Sequence, residues 1–286
     1  MASGMSVHVG INKVDPKHYD GWDGALVACE FDANDMTALA KSQGFEPRTI
    51  LSDEADSATV LGAIADAAGA LSAGDIFFLT YSGHGGRLPD VSGDEDDRRD
   101  ETWVLTDRQV LDDELYALWS KFKPGVRILM ASDSCHSGSV AKVIELIPSA
   151  TLGAAIDLDL GPDDTPAPEH AFRGMPARLI EPVFKANEDL YRAVVEATPR
   201  VEENDLEVGV LLLSGCMDAQ TSADGRRNGL FTETMLKVWA DGSFQGGYRR
   251  FWRTISEKMP PWQTPQFSPV GKVSLDFRRQ RPFSIS

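Results

Sequence analysis

Two short stretches of the chain carry side chains that could together perform nucleophilic catalysis. His84 sits in YSGHGG (residues 81–86) and Cys135 in DSCHSG (residues 133–138). A free thiol has a pKa of about 8.5 and is mostly protonated at neutral pH, so it needs a base beside it to become a nucleophile. An imidazole is suited to that task. Both stretches follow apolar runs of strand character, DIFFLTYS before His84 and VRILMAS before Cys135. In an open parallel sheet, ligand sites lie beyond the carboxyl ends of the strands. If these two strands are neighbours, imidazole and thiol face each other across one crevice. Gly85 and Gly86 keep side chains away, which lets backbone N–H groups point at a developing oxyanion. His136 is a rival base, but adjacent side chains of an extended segment point to opposite faces, which favours His84. By the same alternation Asp133 lies beside Cys135 and Ser82 beside His84. Acidic and polar groups flanking a nucleophile attract a cationic substrate side chain.

The elements that must position these residues alternate. Ser6 to Asn12 reads as a strand, Gly24 to Gln43 as a helix ended by Gly44, and Glu46 to Leu51 as a second strand. Asp56 and Ser57 are N-cap candidates for an alanine-rich helix reaching Leu71. Leu111 to Phe122 has helical periodicity, and VGVLLLSG (208–215) reads as a buried strand. Helices follow over Gly229 to Ala240 and Tyr248 to Lys258, and KVSLDFR (272–278) reads as a closing strand. Near-continuous apolar strands separated by helices predict an α/β fold with a mostly parallel central sheet covered on both faces. Residues 148–205, rich in Pro, Gly, Asp and Ala, break the rhythm and read as an irregular insertion, with a short helix over Asn187 to Ala197.

Bulk properties narrow the function classes. With 42% hydrophobic and 25% charged residues in 286, the chain can bury a large core. No apolar run approaches the roughly 18 residues of a membrane span, and the first residues lack the pattern of a secretory leader. A cytoplasmic protein without a membrane partner is expected. The net charge of −16 argues against nucleic acid as a partner. Cys29, Cys135 and Cys216 are an odd, widely spaced set that encodes neither a disulfide framework nor a zinc site.

YSGHGG and DSCHSG resemble the His and Cys motifs of the metacaspases, a branch of the caspase-like cysteine peptidases. His84 precedes Cys135 by 51 residues, against about 50 in caspases. ACEFDANDM (28–36), GDEDDRRDE (93–101), LDDEL (111–115), LLLSGCMDAQTS and GLFTETML also resemble the family, so the likeness covers nearly the whole chain, loosely between about 145 and 205. The caspase signature QACRG is not reproduced. The resemblance implies a caspase-like three-layer sandwich, one domain over 5–286. A large-subunit-like part (5–147) would be joined through 148–205 to a small-subunit-like part (206–286). It implies Cys135 as nucleophile, His84 as general base and later acid, and an oxyanion hole from the N–H groups of Gly85 and Cys135. It also implies a pocket for a substrate Arg or Lys at the P1 position, just before the cut bond, formed by Cys29, Asp32, Ser82 and Asp133. The substrates would be polypeptides, the enzyme a monomer, with no organic cofactor.

Many metacaspases also bind Ca²⁺, a cation that takes six to eight oxygen ligands. The resemblance places such a site at Asp112 and Asp113 with Asp97 or Asp100. At the family's last ligand position this chain has Lys142, which cannot ligate a metal. Self-cleavage, which family members perform in this region, has candidates in Lys142, Arg173, Arg178, Lys185, Arg192 and Arg200. Two readings compete with the peptidase. A phosphatase-type loop would need an arginine six residues after the cysteine, where this chain has Ala141. A catalytically silent caspase-like scaffold is the other, and the presence of both Cys135 and His84 argues against it.

Overall fold

The computed structural model describes residues 2–89, 99–134, 172–202, 205–217 and 222–286. Among them, six strands form one sheet in the order β2-β1-β3-β7-β8-β9. The strands are β1 (Gly4–Gly10), β2 (Glu46–Leu51), β3 (Ile76–Ser82), β7 (Arg127–Asp133), β8 (Gly209–Ser214) and β9 (Gln266–Gly271). All neighbours run parallel except β8 and β9. A small antiparallel sheet of β4 (Gly85–Pro89), β5 (Arg99–Val104) and β6 (Gln109–Leu111) leaves the end of β3. No periodicity announces it, because these strands are short and flank an acidic stretch.

Successive strand residues point to opposite faces, and here both faces are apolar. Val7, Val9, Phe77, Leu79, Tyr81, Ile128 and Met130 pack on one side, against α2 (Ser57–Ala70) and α3 (Asp112–Trp119). Phe78, Leu129, Ala131, Leu211 and Leu213 pack on the other, against α1 (Cys29–Ser42), α6 (Leu230–Trp239) and α7 (Tyr248–Ser256). Phe77 and Phe78 are both wholly buried. Each such side chain contributes about 1.5–3 kcal/mol of transfer free energy. The expected α/β sandwich with helices on both faces is what the chain forms.

Local signals act as expected at several ends. The Asp56 carboxylate accepts from the Thr59 N–H at 2.7 Å and caps α2. Helix α1 begins later than its composition suggests. Its first N–H groups, from Cys29 and Glu30, donate to the Asn12 side chain at 3.0 and 3.3 Å, while residues 24–28 lead up to it as a non-helical segment.

Two expectations fail. KVSLDFR is not a strand: Ser274 caps a short helix, α8 (Leu275–Arg279), by accepting from the Phe277 N–H at 3.1 Å. The closing strand is β9, which contains Pro269 and therefore reads poorly as a strand. As an edge strand it does not need that N–H. Within the stretch read as irregular, α5 (Glu188–Ala197) is the short helix expected there, but α4 (Ala177–Ala186) before it is a regular helix that was not expected. They bury Leu179, Ile180, Val183 and Tyr191, and the Tyr191 hydroxyl lies 2.8 Å from His18 Nε2.

Candidate active site

Strands β3 and β7 are direct neighbours, in register from Ile76 opposite Arg127 to Ser82 opposite Asp133. The two strand ends that lead to His84 and Cys135 therefore sit side by side. Cys135 and His136 themselves lie outside the described residues, as does Asp97. Ser134, the residue before the cysteine, is buried, and its carbonyl accepts the Cys216 thiol at 3.3 Å.

His84 is only 2% exposed. Its Nε2 lies 3.0 Å from the Gly24 carbonyl oxygen, and its ring packs on Trp22 at 4.7 Å between centroids. A carbonyl can only accept, so Nε2 carries the hydrogen and Nδ1 is the basic nitrogen. Tyr81, stacked on Trp103 at 4.3 Å, donates its hydroxyl to the His84 carbonyl at 2.7 Å and fixes the backbone there. Tyr81, Trp22 and Gly24 were not singled out in the sequence. Their contributions are contacts across the fold, with no motif to announce them.

Asp32, Ser82 and Asp133, three of the four residues expected at the pocket, lie together around one point. What fills the space between them was not foreseen: the side chain of Arg173, which is completely buried. Its guanidinium meets Asp32 Oδ2 at 2.7 Å, Asp133 Oδ2 at 3.0 Å and Asp224 Oδ1 at 2.9 Å, and donates to Ser82 Oγ at 2.8 Å. Burial alone would lower the guanidinium pKa, but Asp133 and the other acids raise it well above its ordinary value. Each carboxylate is separately tethered. Asp133 accepts from the Thr232 N–H and hydroxyl at the start of α6, at 3.0 and 2.7 Å, and from Ser222 at 2.5 Å. Asp32 accepts from Ser82 at 2.6 Å and from the Gly229 N–H at 3.1 Å. Gly229 is required by space: a Cβ there would lie 2.4 Å from Arg173 Nη1 and 2.5 Å from Asp133 Oδ2. Cys29 is buried nearby, and burial pushes its thiol pKa well up, so it is a neutral wall of the pocket.

The backbone around Arg173 is extended and paired on both sides. Its N–H donates to the Ser222 carbonyl at 3.0 Å, and its carbonyl accepts from the Gly85 N–H at 3.0 Å. The Met175 N–H donates to the Gly85 carbonyl at 2.8 Å, and Phe172 bridges Ala223 with its ring edge-on to Trp262 at 6.5 Å. The chain thus lies across its own site as an added strand, with the Arg173 carbonyl on a glycine N–H that the sequence had marked for an oxyanion.

The matching family model is that of the caspase domain, over residues 14–274. The chain belongs to the caspase-domain family. It is 30% identical over 236 residues to Metacaspase-1A of Neurospora crassa, covering 76% of this chain and 50% of that one. It is 36% identical over 166 residues to Metacaspase-4 of Arabidopsis thaliana, covering 54% of this chain and 38% of that one. The chain thus spans about half the length or less of these relatives. Among solved structures, protein GSU0716 from Geobacter sulfurreducens superposes with a TM-score of 0.86 at 44% identity, over 99% of both chains. Caspase-1 from Spodoptera frugiperda shares the fold, with a TM-score of 0.51 at 10% identity, over 93% of this chain and 86% of that one. Among the described residues no helix is long and apolar enough to cross a membrane.

The calcium expectation gains no donor set from this caspase-domain structure. Asp112 and Asp113 occupy the first turn of α3, and Asp100 is buried in β5. Among the described residues no three His, Cys, Asp or Glu side chains group as a metal site.

The acid pocket has a pH signature. Burial raises the Asp32 pKa, the Arg173 cation opposes this, and the Asp133 charge adds to it, leaving a value of about 7. Without a cation in the pocket the value is higher still. As pH falls through this range Asp32 takes up a proton and the pocket loses attraction for a cation. Binding of added guanidinium ion to the pocket of an Arg173→Ala protein is therefore expected to weaken as pH drops from about 8 toward 7. Asp32→Asn in the same background should flatten that dependence, which calorimetric titration would check.

Proposed function

We propose that the chain is a cysteine endopeptidase that cuts polypeptides after a basic residue, and that it cuts itself between Arg173 and Gly174. The observation that carries this reading is the seating of Arg173: a buried guanidinium among three carboxylates, with its carbonyl on the Gly85 N–H. In this reading Arg173 occupies the place of a substrate P1 residue and Phe172 that of P2. The Cys135 thiol would give its proton to His84 Nδ1 and attack the Arg173 carbonyl carbon. The oxyanion so formed is held by the Gly85 N–H. His84 then returns the proton to the Gly174 nitrogen as the peptide bond breaks, leaving a thioester on Cys135. Water, deprotonated by the same imidazole, hydrolyses the thioester and restores the thiol. Until that bond is cut, the pocket is filled by the chain's own residue.

Mass spectrometry of the incubated protein tests this. One fragment is expected to end at Arg173 and another to begin at Gly174, and neither should form in Arg173→Ala. Hydrolysis of an added Phe-Arg peptide should show a lag that shortens as processing proceeds. Preference for a peptide with Asp before the cut bond would overturn the specificity. A chain that neither cuts itself nor turns over any added peptide would return the scaffold reading.

A further inference from the structure

The pocket contains a carboxylate that neither its sequence motif nor its strand position marked. Asp224 lies in the segment between β8 and α6 and is 5% exposed. Its Oδ1 accepts from Arg173 Nε at 3.2 Å and from Nη2 at 2.9 Å. Its Oδ2 is held by the Val27 N–H at 2.7 Å, which fixes the carboxylate before any ligand arrives. The other donors of the guanidinium go elsewhere: Nη2 also to Asp32, and Nη1 to Ser82, Asp133 Oδ2 and the Asp133 carbonyl at 3.2 Å. Every N–H of the fork is thereby used, and the Nε edge is read by Asp224 alone.

We propose that Asp224 determines specificity, making the site select arginine over lysine. This inference rests on the basic-P1 reading above. A lysine has no Nε–H partway along its stem. Its three donors radiate from one terminal nitrogen, which cannot match three carboxylates set around a planar fork. A bound lysine would leave Asp224 Oδ1 with only the Ala28 N–H, at 3.3 Å, and a buried carboxylate oxygen that loses its charged partner is unfavourable. The loss of one charge-assisted hydrogen bond corresponds to a preference of about tenfold to a hundredfold for arginine.

The test uses two formats. In the native enzyme, once processing at residue 173 is complete, kcat/KM is measured for peptides differing only in Arg, Lys or Asp at the cut bond. In the intact chain, the rate of processing at residue 173 is compared between the native sequence and Arg173→Lys. Arginine is expected to lead lysine by tenfold or more in both. Asp224→Asn should slow arginine far more than lysine and so bring the ratio toward one. A purely structural role would slow both equally and leave the ratio intact, which would overturn the proposal. If Asp224→Asn folds poorly, Asp224→Glu must also shift the ratio, and the Arg to Lys comparison in the native site stands without either variant. Equal cleavage of Arg and Lys overturns this inference alone. Cleavage of neither, or preference for Asp, overturns the basic-P1 reading and this inference with it.

Discussion

Cys135→Ala protein is expected to remain a single uncut chain and to turn over arginine peptides roughly 10⁴-fold or more slowly than the native enzyme. The reason is that no other group can form the acyl bond once the thiol is gone. His84→Ala should fall to a similar residual rate, and the double variant should be little worse than either single one, because nucleophile and base act as one unit. The same assay separates the two histidines. His84 presents Nδ1 as its basic nitrogen because Nε2 is committed to Gly24. His136→Ala should therefore retain most activity, and a loss as deep as that of His84→Ala would reassign the base. Single-turnover rates and mass spectrometry of the intact chain read these outcomes without relying on added activators.

The second large effect concerns Asp133. Its carboxylate contacts the guanidinium at 3.0 Å and is itself bound by Thr232 and Ser222. Removing one partner of a buried charge pair costs about 3–5 kcal/mol. By that scale Asp133→Asn should lower kcat/KM for arginine peptides by about 10²- to 10⁴-fold, mainly through KM. Processing after Arg173 should slow in parallel. A native KM in the variant would mean that the Arg173 seat is not the substrate pocket. Gly229→Ala offers an independent check of that equivalence, since its methyl would intrude on the guanidinium position rather than remove a charge.

Much of this molecule could be read along the chain. The buried strands are continuous apolar runs, and Asp56 caps α2 through a contact only three residues away. His84, Ser82 and Asp133 are placed by the strands they end, so recognising β3 and β7 was enough to put them near one rim. The misread segments failed for equally local reasons. VSLDF alternates like a strand, but Ser274 starts a helix there, while the true edge strand hides behind Pro269.

What occupies the pocket could only be decided by the folded chain. Arg173 was one basic residue among several in a stretch without periodicity, and nothing in its neighbours distinguishes it. Its partners lie far off in sequence: Asp32 is 141 residues away, Ser82 is 91 and Asp224 is 51. Asp224 likewise gains its meaning from Val27, 197 residues distant. Periodicity and capping are short-range properties and report local structure. A charge's partner depends on which distant segments the sheet brings within about 3 Å, and that is fixed only when the core closes.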